Sequence, residues 1–571
     1  MKNFIIVILT ISFIAVACSV PQGSGEILKA VSITEESAPT YSYNMDISAL
    51  KSVPRGTGGV HMGATMDSIG VDGSLEGNLA VSITNELHPN YARWPGGGTL
   101  KFKHLMRPKG YGYDMTEITA YINGGGGTSK DLADWQHIYD EEQLMNYRFI
   151  DRFVQYMGDL AVKPKIIFGM NVTLGTVEEN MDALDFLIAN GIEVVAVEMG
   201  NETYQQFATF ADYYAKSEPF LLAVKAAHPE IVRTMVIAPH PERNSHKKWN
   251  DAFKAKLSVT DLIQGGVPHF YPDLSVACND AYDAYNTTPK PNFEILFDSK
   301  DPSVGPIVDL CNEDMKHMIS DPAPAPGVAF NSFDGLKAML DAQFPGLPLY
   351  MTEWNFLPVE IMGNTMADGF YAFKALLKIQ ENPNIVAATT HNFIAPAGHG
   401  MINPPLPDDS LSMALHKRVK YYAFLVHSMA QDGYQEATVS FSFPEITQKA
   451  YYKPGKSLII GINESQNGIV IDSFGIPGYV TGACTIKAIS GKQLYSSAGQ
   501  NDYIGKNKFY DTHQAPYEIN GMQVYSQIPP MSIFSMECNH DLWVAPPPPP
   551  PPPVSKPWYC KYFPWLKACK G

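Results

Sequence analysis

The chain has 571 residues, of which 45% are hydrophobic and 18% are charged. This composition is typical of a folded protein with two or more domains and argues against a disordered chain. The 42 basic and 58 acidic residues give a formal net charge of -16, which argues against nucleic acid as a partner because such binding needs a basic surface. The sequence has no phosphate-binding loop, no dinucleotide fingerprint and no zinc-type spacing of Cys and His.

Residues 1–18 are interpreted as an export signal. An apolar run from Phe4 to Ala17 follows Lys2 and is too short to span a bilayer stably. The run ends in Ala15-Val-Ala-Cys18, which resembles the lipobox of bacterial lipoproteins, although Ala15 stands where that family usually has leucine. If Cys18 is lipidated, we expect an outer-membrane lipoprotein that faces the periplasm or the cell surface. An ordinary signal peptide cut near Ala17, giving a secreted protein, is the alternative.

The remaining cysteines fit an oxidising compartment. They lie as local pairs along the chain, and the simplest of the fifteen connectivities joins Cys278 to Cys311, Cys484 to Cys538 and Cys560 to Cys569. The alternative is that several of them are free buried thiols.

The next segments predict an α/β fold. Residues 19–56 form a polar leader with one short strand that reaches the C-terminal domain. From residue 57 to 431, apolar runs alternate with amphipathic helices, for example at 141–160 and 412–431. The eight predicted strands are 60–66, 91–98, 163–171, 193–202, 233–240, 265–271, 347–354 and 385–392. Eight strands alternating with helices predict a (β/α)8 TIM barrel.

The C-terminal part of the chain has a different pattern. Short strand-like runs separated by Gly, Pro and Asn predict a small all-β sandwich over 432–541. Residues 542–571 contain the eight consecutive prolines 546–553, a stiff spacer of roughly 25 Å. The spacer leads to a basic, aromatic tail that contains Cys560 and Cys569. This tail either contacts a surface or a glycan, or is a disordered solubilising segment.

Polar side chains are concentrated where the predicted barrel strands end. The active sites of such barrels lie at the C-terminal ends of the strands, so these residues are candidate site residues. They are Arg93, Trp94, Asn171, Asn201, Glu202, His240, His269, Tyr271, Glu353, Trp354 and His391. Glu202 and Glu353 end strands four and seven, and two such carboxyls are the chemical requirement of a glycosidase. Glu198 lies deeper in strand four and is interpreted as structural.

Four motifs carry a family resemblance. Arg93-Trp-Pro-Gly-Gly97, Glu198-Met-Gly-Asn-Glu202, His269-Phe-Tyr271 and Thr352-Glu-Trp-Asn355 resemble motifs of the clan A retaining glycoside hydrolases. They are most similar to the α-L-arabinofuranosidase and heparanase/β-glucuronidase families, over roughly residues 57–400.

The resemblance implies roles for the matching residues. Glu202 is expected to donate a proton and then act as general base, with Glu353 as the nucleophile. Asn201 is expected to bind the 2-hydroxyl of the sugar, and Tyr271 to donate a hydrogen bond to Glu353. We also expect Arg93 to keep Glu353 ionised by charge proximity and Trp354 to offer a flat face to a sugar ring.

The remaining substrate-binding candidates are weaker. Trp94 and Asn171 are included by position alone. His240, His269 and His391 either contact substrate or are satisfied structural histidines.

The sequence therefore predicts a retaining glycoside hydrolase that acts on a complex polysaccharide. No metal or organic cofactor is called for, because two carboxylates suffice. Basic residues in the loops 101–109 and 240–248 favour a uronate-bearing or sulfated substrate, and a solvated lysine face explains them equally well.

Two alternatives stay open. One is a non-catalytic surface protein that binds glycans on a barrel scaffold. The other is an inverting hydrolase, which needs carboxyls roughly 6.5–9.5 Å apart instead of about 5–5.5 Å. The sequence does not indicate an oligomeric state.

Overall fold

The computed structural model describes most of the chain from residue 40 to residue 542. The described ranges are 40–54, 56–63, 75–107, 112–126, 148–240, 243–272, 332–355, 365–394, 400–403, 416–439, 446–491 and 522–542, with short pieces between them.

A closed barrel of eight parallel strands forms the centre of the molecule, in chain order β2 to β9. Its strands are β2 (Gly59–His61), β3 (Tyr91–Trp94), β4 (Lys165–Met170), β5 (Val194–Met199), β6 (Val232–Ile237), β7 (Gly265–Phe270), β8 (Leu349–Trp354) and β9 (Ile385–Thr390). Most of their residues are buried, because parallel strands are covered on both faces and so consist of nearly continuous apolar runs. The predicted barrel is confirmed.

Helices alternate with the strands and cover the barrel. They are α1 (Leu75–Leu87), α2 (Met115–Tyr121), α3 (Phe149–Asp159), α4 (Val177–Ala189), α5 (Phe210–Ala227), α6 (Asn244–Leu257), α7 (Phe333–Gln343), α8 (Met366–Gln380) and α9 (Val419–Met429). Several begin at a Ser or Thr whose hydroxyl accepts a backbone N–H of the first turn, as Thr176, Thr209 and Ser332 do.

The helix predicted over 412–431 starts later than expected. Residues 416–417 form the short strand β11 (His416–Lys417), which pairs antiparallel with β10 (Ile402–Asn403). Helix α9 begins only at Val419. The pairing across the loop overrides the local helical pattern, which alone cannot report a partner strand.

A second, mostly antiparallel sheet follows the barrel and confirms the predicted β-sandwich. Its order is β15-β1-β12-β13-β14-β20-β16-β19. These strands are β1 (Thr40–Ser52), β12 (Gln435–Val439), β13 (Ile446–Lys453), β14 (Lys456–Asn463), β15 (Val470–Gly475), β16 (Tyr479–Ser490), β19 (Gln523–Tyr525) and β20 (Ser532–Leu542). Two further short strands, β17 (Ser497–Ala498) and β18 (Tyr517–Ile519), pair with each other.

The leader supplies the strand β1 of this sheet. It pairs antiparallel with β12 and parallel with β15. Tyr43 and Met45 point into the sandwich interior and are 0% and 1% exposed, as the two-residue period of a strand requires. The N-terminal part of the described chain therefore belongs to the C-terminal domain.

Two of the three predicted disulfides are present. Cys278 is bonded to Cys311 and Cys484 to Cys538. Cys18, Cys560, Cys569 and the proline run lie outside the described residues. Within the described part of the chain, no helix has the length and apolarity needed to span a membrane.

The two domains share one hydrophobic core. Ile533 of β20 belongs to the same buried cluster as the barrel helices α8 and α9. Gly369 of α8 allows the close approach, because a Cβ there would lie 2.5 Å from Val419 Cγ1 and 2.8 Å from Ile533 Cδ1. The sandwich is thus packed directly onto the outer helices of the barrel.

We predict that Gly369→Ala lowers the free energy of unfolding by about 1–3 kcal/mol, because the added methyl overpacks this contact. The matched control is Gly158→Ala in α3, where a Cβ meets nothing within 4 Å. Alanine there should stabilise by about 0.5–1 kcal/mol through its better helix propensity. Urea unfolding of both variants checks the opposite signs; equal effects would contradict the tight contact at Gly369.

Candidate active site

The strand register places the polar residues of the rim side by side. His269 of β7 pairs with Glu353 of β8, and His61 of β2 pairs with Arg93 of β3. Because all eight strands are parallel, these ends lie on one face of the barrel, where barrel enzymes have their active sites.

Glu202 lies on a sharp turn directly after β5. Gly200 has φ 84° and Glu202 itself has φ 44°, a left-handed conformation that costs free energy in a residue with a Cβ. The carboxylate is held by Tyr204 Oη, which donates to Oε1 at 3.0 Å, and by Gln205 Nε2, which donates to Oε2 at 2.9 Å. The turn and these two donors aim Glu202 across the rim.

Arg93 is the fully buried cation at the centre of the site. Its Nε and Nη2 donate to both oxygens of Glu198 at 2.7 Å, a bidentate pair of the strong, charge-assisted kind. Nη2 also donates to Asn201 Oδ1 at 2.8 Å, and Nη1 donates to Glu353 Oε1. Glu198 is therefore the counter-ion of Arg93, which agrees with its interpretation as a structural residue.

Glu353 is held on both oxygens. Besides Arg93 on Oε1, the hydroxyl of Tyr271 donates to Oε2 at 2.6 Å. Burial raises the pKa of Glu353, but the nearby charges of His269 and Arg93 outweigh it and hold the pKa well below its usual range. The Glu353 carboxylate is thus ionised and oriented, as a nucleophile must be.

His269 lies between three carboxylates. Its Nδ1 is 3.4 Å from Glu202 and 3.6 Å from Glu353, and its Nε2 is 3.6 Å from Glu198. Burial lowers the pKa of His269, but Glu353 and the other carboxylates raise it to about 9. Ligand atoms of Glu202, His269 and Glu353 all lie within 4.8 Å of one another.

The same cation acts on Glu202. Burial raises the pKa of Glu202, but the hydrogen bond and charge of His269 outweigh it, so the net pKa lies below the ordinary value. The charge of Glu353 raises the pKa of Glu202. The proton affinity of Glu202 therefore depends on the charge state of its partner.

The two glutamates are close together. One carboxylate oxygen of Glu202 lies within 4.8 Å of one oxygen of Glu353. A retaining glycosidase has its carboxyls about 5–5.5 Å apart, whereas an inverting enzyme needs roughly 6.5–9.5 Å for a water molecule. The spacing is closer to the retaining geometry than to the inverting one.

His61 belongs to the site although it was not among the residues predicted from the sequence. It is 1% exposed, with Nδ1 2.6 Å from Asn392 Oδ1 and Nε2 3.1 Å from Arg93 Nη1. Burial and the charge of Arg93 hold the pKa of His61 well below its usual range. The neutral ring thus donates from Nδ1 to Asn392 and accepts from Arg93. Its place at the end of the first strand was the available signal.

A cavity of about 400 Å³ opens next to Glu202. Its lining residues are Glu202, Tyr204, Gln205, Pro239, His240, Arg243, His246, His269 and Tyr271. This volume is within the range of small-molecule sites. His391 lies outside that lining, with its ring 6.0 Å from Tyr271 and 4.8 Å from His61. Tyr204 and Gln205 were not predicted as site residues from the sequence, although they lie close after Glu202.

Four residues expected to contact substrate do not face it. Trp94 and Trp354 are 0% exposed and stack on Phe153 and Phe424 in the layer between strands and helices. Arg93 is also 0% exposed, so it acts on Glu353 and Asn201 and not on a sugar.

Asn171 is the fourth residue that was expected to contact substrate and that does not face it. Its Nδ2 donates to the carbonyl of Lys103, and its Oδ1 accepts from the backbone of Leu174. It therefore fixes two loops to each other.

Lys103 and Arg107, in the basic loop after β3, have partners inside the protein. Lys103 is 2% exposed, with its Nζ 4.1 Å from the ring centre of Phe149. Arg107 lies 3.4 Å from Asp114, 3.5 Å from Glu117 and 3.7 Å from Glu179. The positive field that the sequence suggested over this loop is largely cancelled by acids from α2 and α4.

A search for similar proteins finds solved structures only. No protein-family model matches the chain, and neither does any curated protein. The structure is similar to a GH51 arabinofuranosidase from Xanthomonas axonopodis pv. citri, with a TM-score of 0.56 and 14% identity over 87% of this chain and 100% of that one. It is also similar to the α-L-arabinofuranosidase of Thermotoga maritima, with a TM-score of 0.51 and 14% identity over 87% and 99% of the two chains.

A third similar structure is the family 51 α-L-arabinofuranosidase of Bifidobacterium longum, with a TM-score of 0.52 and 12% identity over 88% and 100% of the chains. At these identities the similarity concerns the fold. It confirms, at that level, the resemblance to the arabinofuranosidase group that the motifs indicated.

We predict that His269→Gln moves both limbs of the pH profile of kcat/KM to higher pH. His269 is protonated below about pH 9, so the substitution removes a positive charge beside both glutamates and their pKa values rise. With Glu353 as the expected nucleophile, its ionisation would set the acidic limb, and with Glu202 as the expected acid, its protonation would set the basic limb.

The control is His246→Asn, in the same cavity. Burial, with the nearby His240, lowers the pKa of His246 to about 4, so its removal takes away no charge at higher pH. Both limbs should stay in place in that variant, whatever happens to KM. Unmoved limbs in His269→Gln would show that this imidazole does not set the proton affinities.

Proposed function

We propose that this protein is a retaining glycoside hydrolase that cleaves glycosidic bonds of a complex polysaccharide by double displacement. Glu353 is the nucleophile and Glu202 is the general acid and base. The observation that carries this proposal is the approach of the two carboxylates to within 4.8 Å, with Glu353 held ionised by Arg93 and Tyr271.

In the first step an oxygen of Glu353 attacks the anomeric carbon while the bond to the leaving oxygen breaks. The proton of Glu202 passes to that oxygen, and a glycosyl ester of Glu353 forms. Tyr271, whose pKa is raised well above its usual value by burial and by the charge of Glu353, keeps its proton and continues to donate to the carboxyl. The Oδ1 of Asn201 is engaged by Arg93, so its Nδ2 is the group that meets the sugar 2-hydroxyl.

In the second step the glycosyl ester is hydrolysed. Glu202, now a carboxylate, takes a proton from water, the water oxygen attacks the anomeric carbon, and the ester bond breaks to restore Glu353. Esterification removes the negative charge of Glu353, which had raised the pKa of Glu202. The pKa of Glu202 therefore falls at the step in which its carboxyl must be ionised. The coupling between the two carboxyls thus matches the order of the steps.

The rival function, a non-catalytic glycan-binding protein, is less well supported. A binding scaffold has no need for a strained turn at Glu202 or for a buried carboxylate held ionised by two donors. Both features cost stability, and catalysis gives each of them a use.

The substrate is proposed by class. The similar solved structures include α-L-arabinofuranosidases, so an α-L-arabinofuranoside is the first sugar to test. An anionic polysaccharide, bearing uronate or sulfate, finds little support in the described part of the loop after β3, where Arg107 is paired with acids and Lys103 is buried. What support remains comes from the segment after β6.

Export is proposed from the first residues alone. The apolar run and Cys18 favour a lipoprotein of the outer membrane that meets its polysaccharide in the periplasm or at the cell surface. Labelling of the intact protein with a fatty-acid probe, lost in Cys18→Ser, tests this.

We predict different losses in Glu353→Gln and Glu202→Gln. The first should abolish turnover of every glycoside, because no nucleophile remains. The second should lower kcat/KM about 10²–10⁴-fold on substrates with poor leaving groups, the usual contribution of a general acid, and far less on 4-nitrophenyl glycosides, whose leaving group departs without protonation. The comparison uses kcat/KM on matched alkyl and aryl glycosides, because this ratio reports formation of the glycosyl ester and not its later hydrolysis.

Glu193→Gln is the matched control, since Glu193 is exposed at the other end of the same strand and paired with Lys165. It should keep wild-type rates. Full activity in Glu353→Gln would refute the assignment of the nucleophile, and an equal loss on both substrate types in Glu202→Gln would refute that of the acid.

A further inference from the structure

The cavity beside Glu202 extends to one side of the catalytic pair. Glu202, His269 and Tyr271 line it, but Glu353 does not. Its far wall includes Pro239, His240, Arg243 and His246, which come from the connection between β6 and α6 and from the first turn of α6. Because the proposed acid protonates the leaving oxygen, the group in this cavity is attached on the leaving-group side of the scissile bond.

Arg243 is the distinctive residue of that wall. It lines the cavity, is exposed, and no carboxylate of the described residues forms an ion pair with it. Its neighbour Lys247 is engaged with Asp251 at 2.6 Å, and Arg107 on the other basic loop meets three acids. Among the described residues of the rim, Arg243 is therefore a solvent-exposed cation without a carboxylate partner.

Beside Arg243, the described part of the wall presents the rings of His240 and His246. His246 packs edge-on against Tyr204, with ring centres 4.9 Å apart, and lies 5.8 Å from His240. The low pKa of His246, about 4 through burial and the nearby His240, keeps that ring neutral. Rings of this kind offer apolar faces and single polar nitrogens, which suit a sugar ring.

We propose that this cavity is a subsite for an anionic sugar residue on the leaving-group side, whose carboxylate or sulfate is bound by Arg243. Arginine suits this role because its planar fork of donors matches the oxygens of either anion. The subsite rests on the proposed function for its place relative to the scissile bond, and it shifts the anion recognition from the loop after β3 to the segment after β6.

The test compares leaving groups that differ only in charge. A panel of 4-nitrophenyl glycosides first identifies a sugar that the intact protein cleaves. On that sugar, kcat/KM is then measured for 4-nitrophenyl, 3-carboxy-4-nitrophenyl and 3-sulfo-4-nitrophenyl leaving groups. The anionic-to-neutral ratio of each variant is compared with that of the wild type, so that differences in leaving-group acidity cancel.

Arg243→Gln should lower this ratio by about three- to tenfold, as expected for a charge-assisted pair that is partly exposed to solvent. Arg243→Lys should keep most of it, and added salt should lower it in the wild type by screening. A fall confined to the carboxylate or to the sulfonate arm identifies which anion the subsite binds. Lys247→Gln, one helical turn away, is the control and should leave the ratio unchanged.

An unchanged ratio in Arg243→Gln, or an equal fall in Lys247→Gln, overturns the subsite while leaving the glycosidase intact. If no glycoside is cleaved, the proposed function fails, and a binding experiment decides on the subsite. Calorimetric titration with cellobiose, cellobiouronic acid and cellobiose sulfate should then show a preference for an anionic disaccharide that is lost in Arg243→Gln. No preference in the wild type overturns the proposal.

Discussion

The site depends on one buried cation. Arg93 is fully enclosed, and its guanidinium joins Glu198, Asn201 and Glu353, which come from two strands on opposite sides of it in the barrel. A buried arginine is tolerated only where carboxylates compensate for the loss of water. Glu198 provides this compensation for Arg93, and the same guanidinium can then also bind Glu353. Glu353, the proposed nucleophile, is thus oriented and kept ionised with the help of an ion pair between Arg93 and Glu198 that is fully buried.

The sequence was sufficient for the parts of the site that depend on strand position. Glu202, Tyr271 and Glu353 were found because barrel strands deliver their last residues to one rim. The same reasoning was wrong for Trp94 and Trp354, although the sequence contained the information needed to place them correctly. Successive residues of a strand point to opposite faces, so a rim-facing Arg93 or Glu353 turns the tryptophan after it toward the helices.

Other features could not be deduced from local pattern. The basic appearance of residues 101–107 is cancelled by Glu117 and Glu179, which reach the loop only once α2 and α4 are in place. His269 similarly has no sequence mark of a cation; its raised pKa comes from three carboxylates that the register of β5, β7 and β8 brings together. The net charge around a residue of this site is therefore set by its neighbours in the folded structure and not by the residues next to it in the sequence.

The leader strand β1 makes the sandwich a discontinuous domain. Thr40–Ser52 pairs with Gln435–Val439, so the whole barrel lies in sequence between two adjacent strands of one sheet. Pairing of these two strands therefore closes a very long loop, which carries a cost in conformational entropy and raises the sequence separation of the contacts in this sheet. The finished pairing holds the two ends of the barrel together.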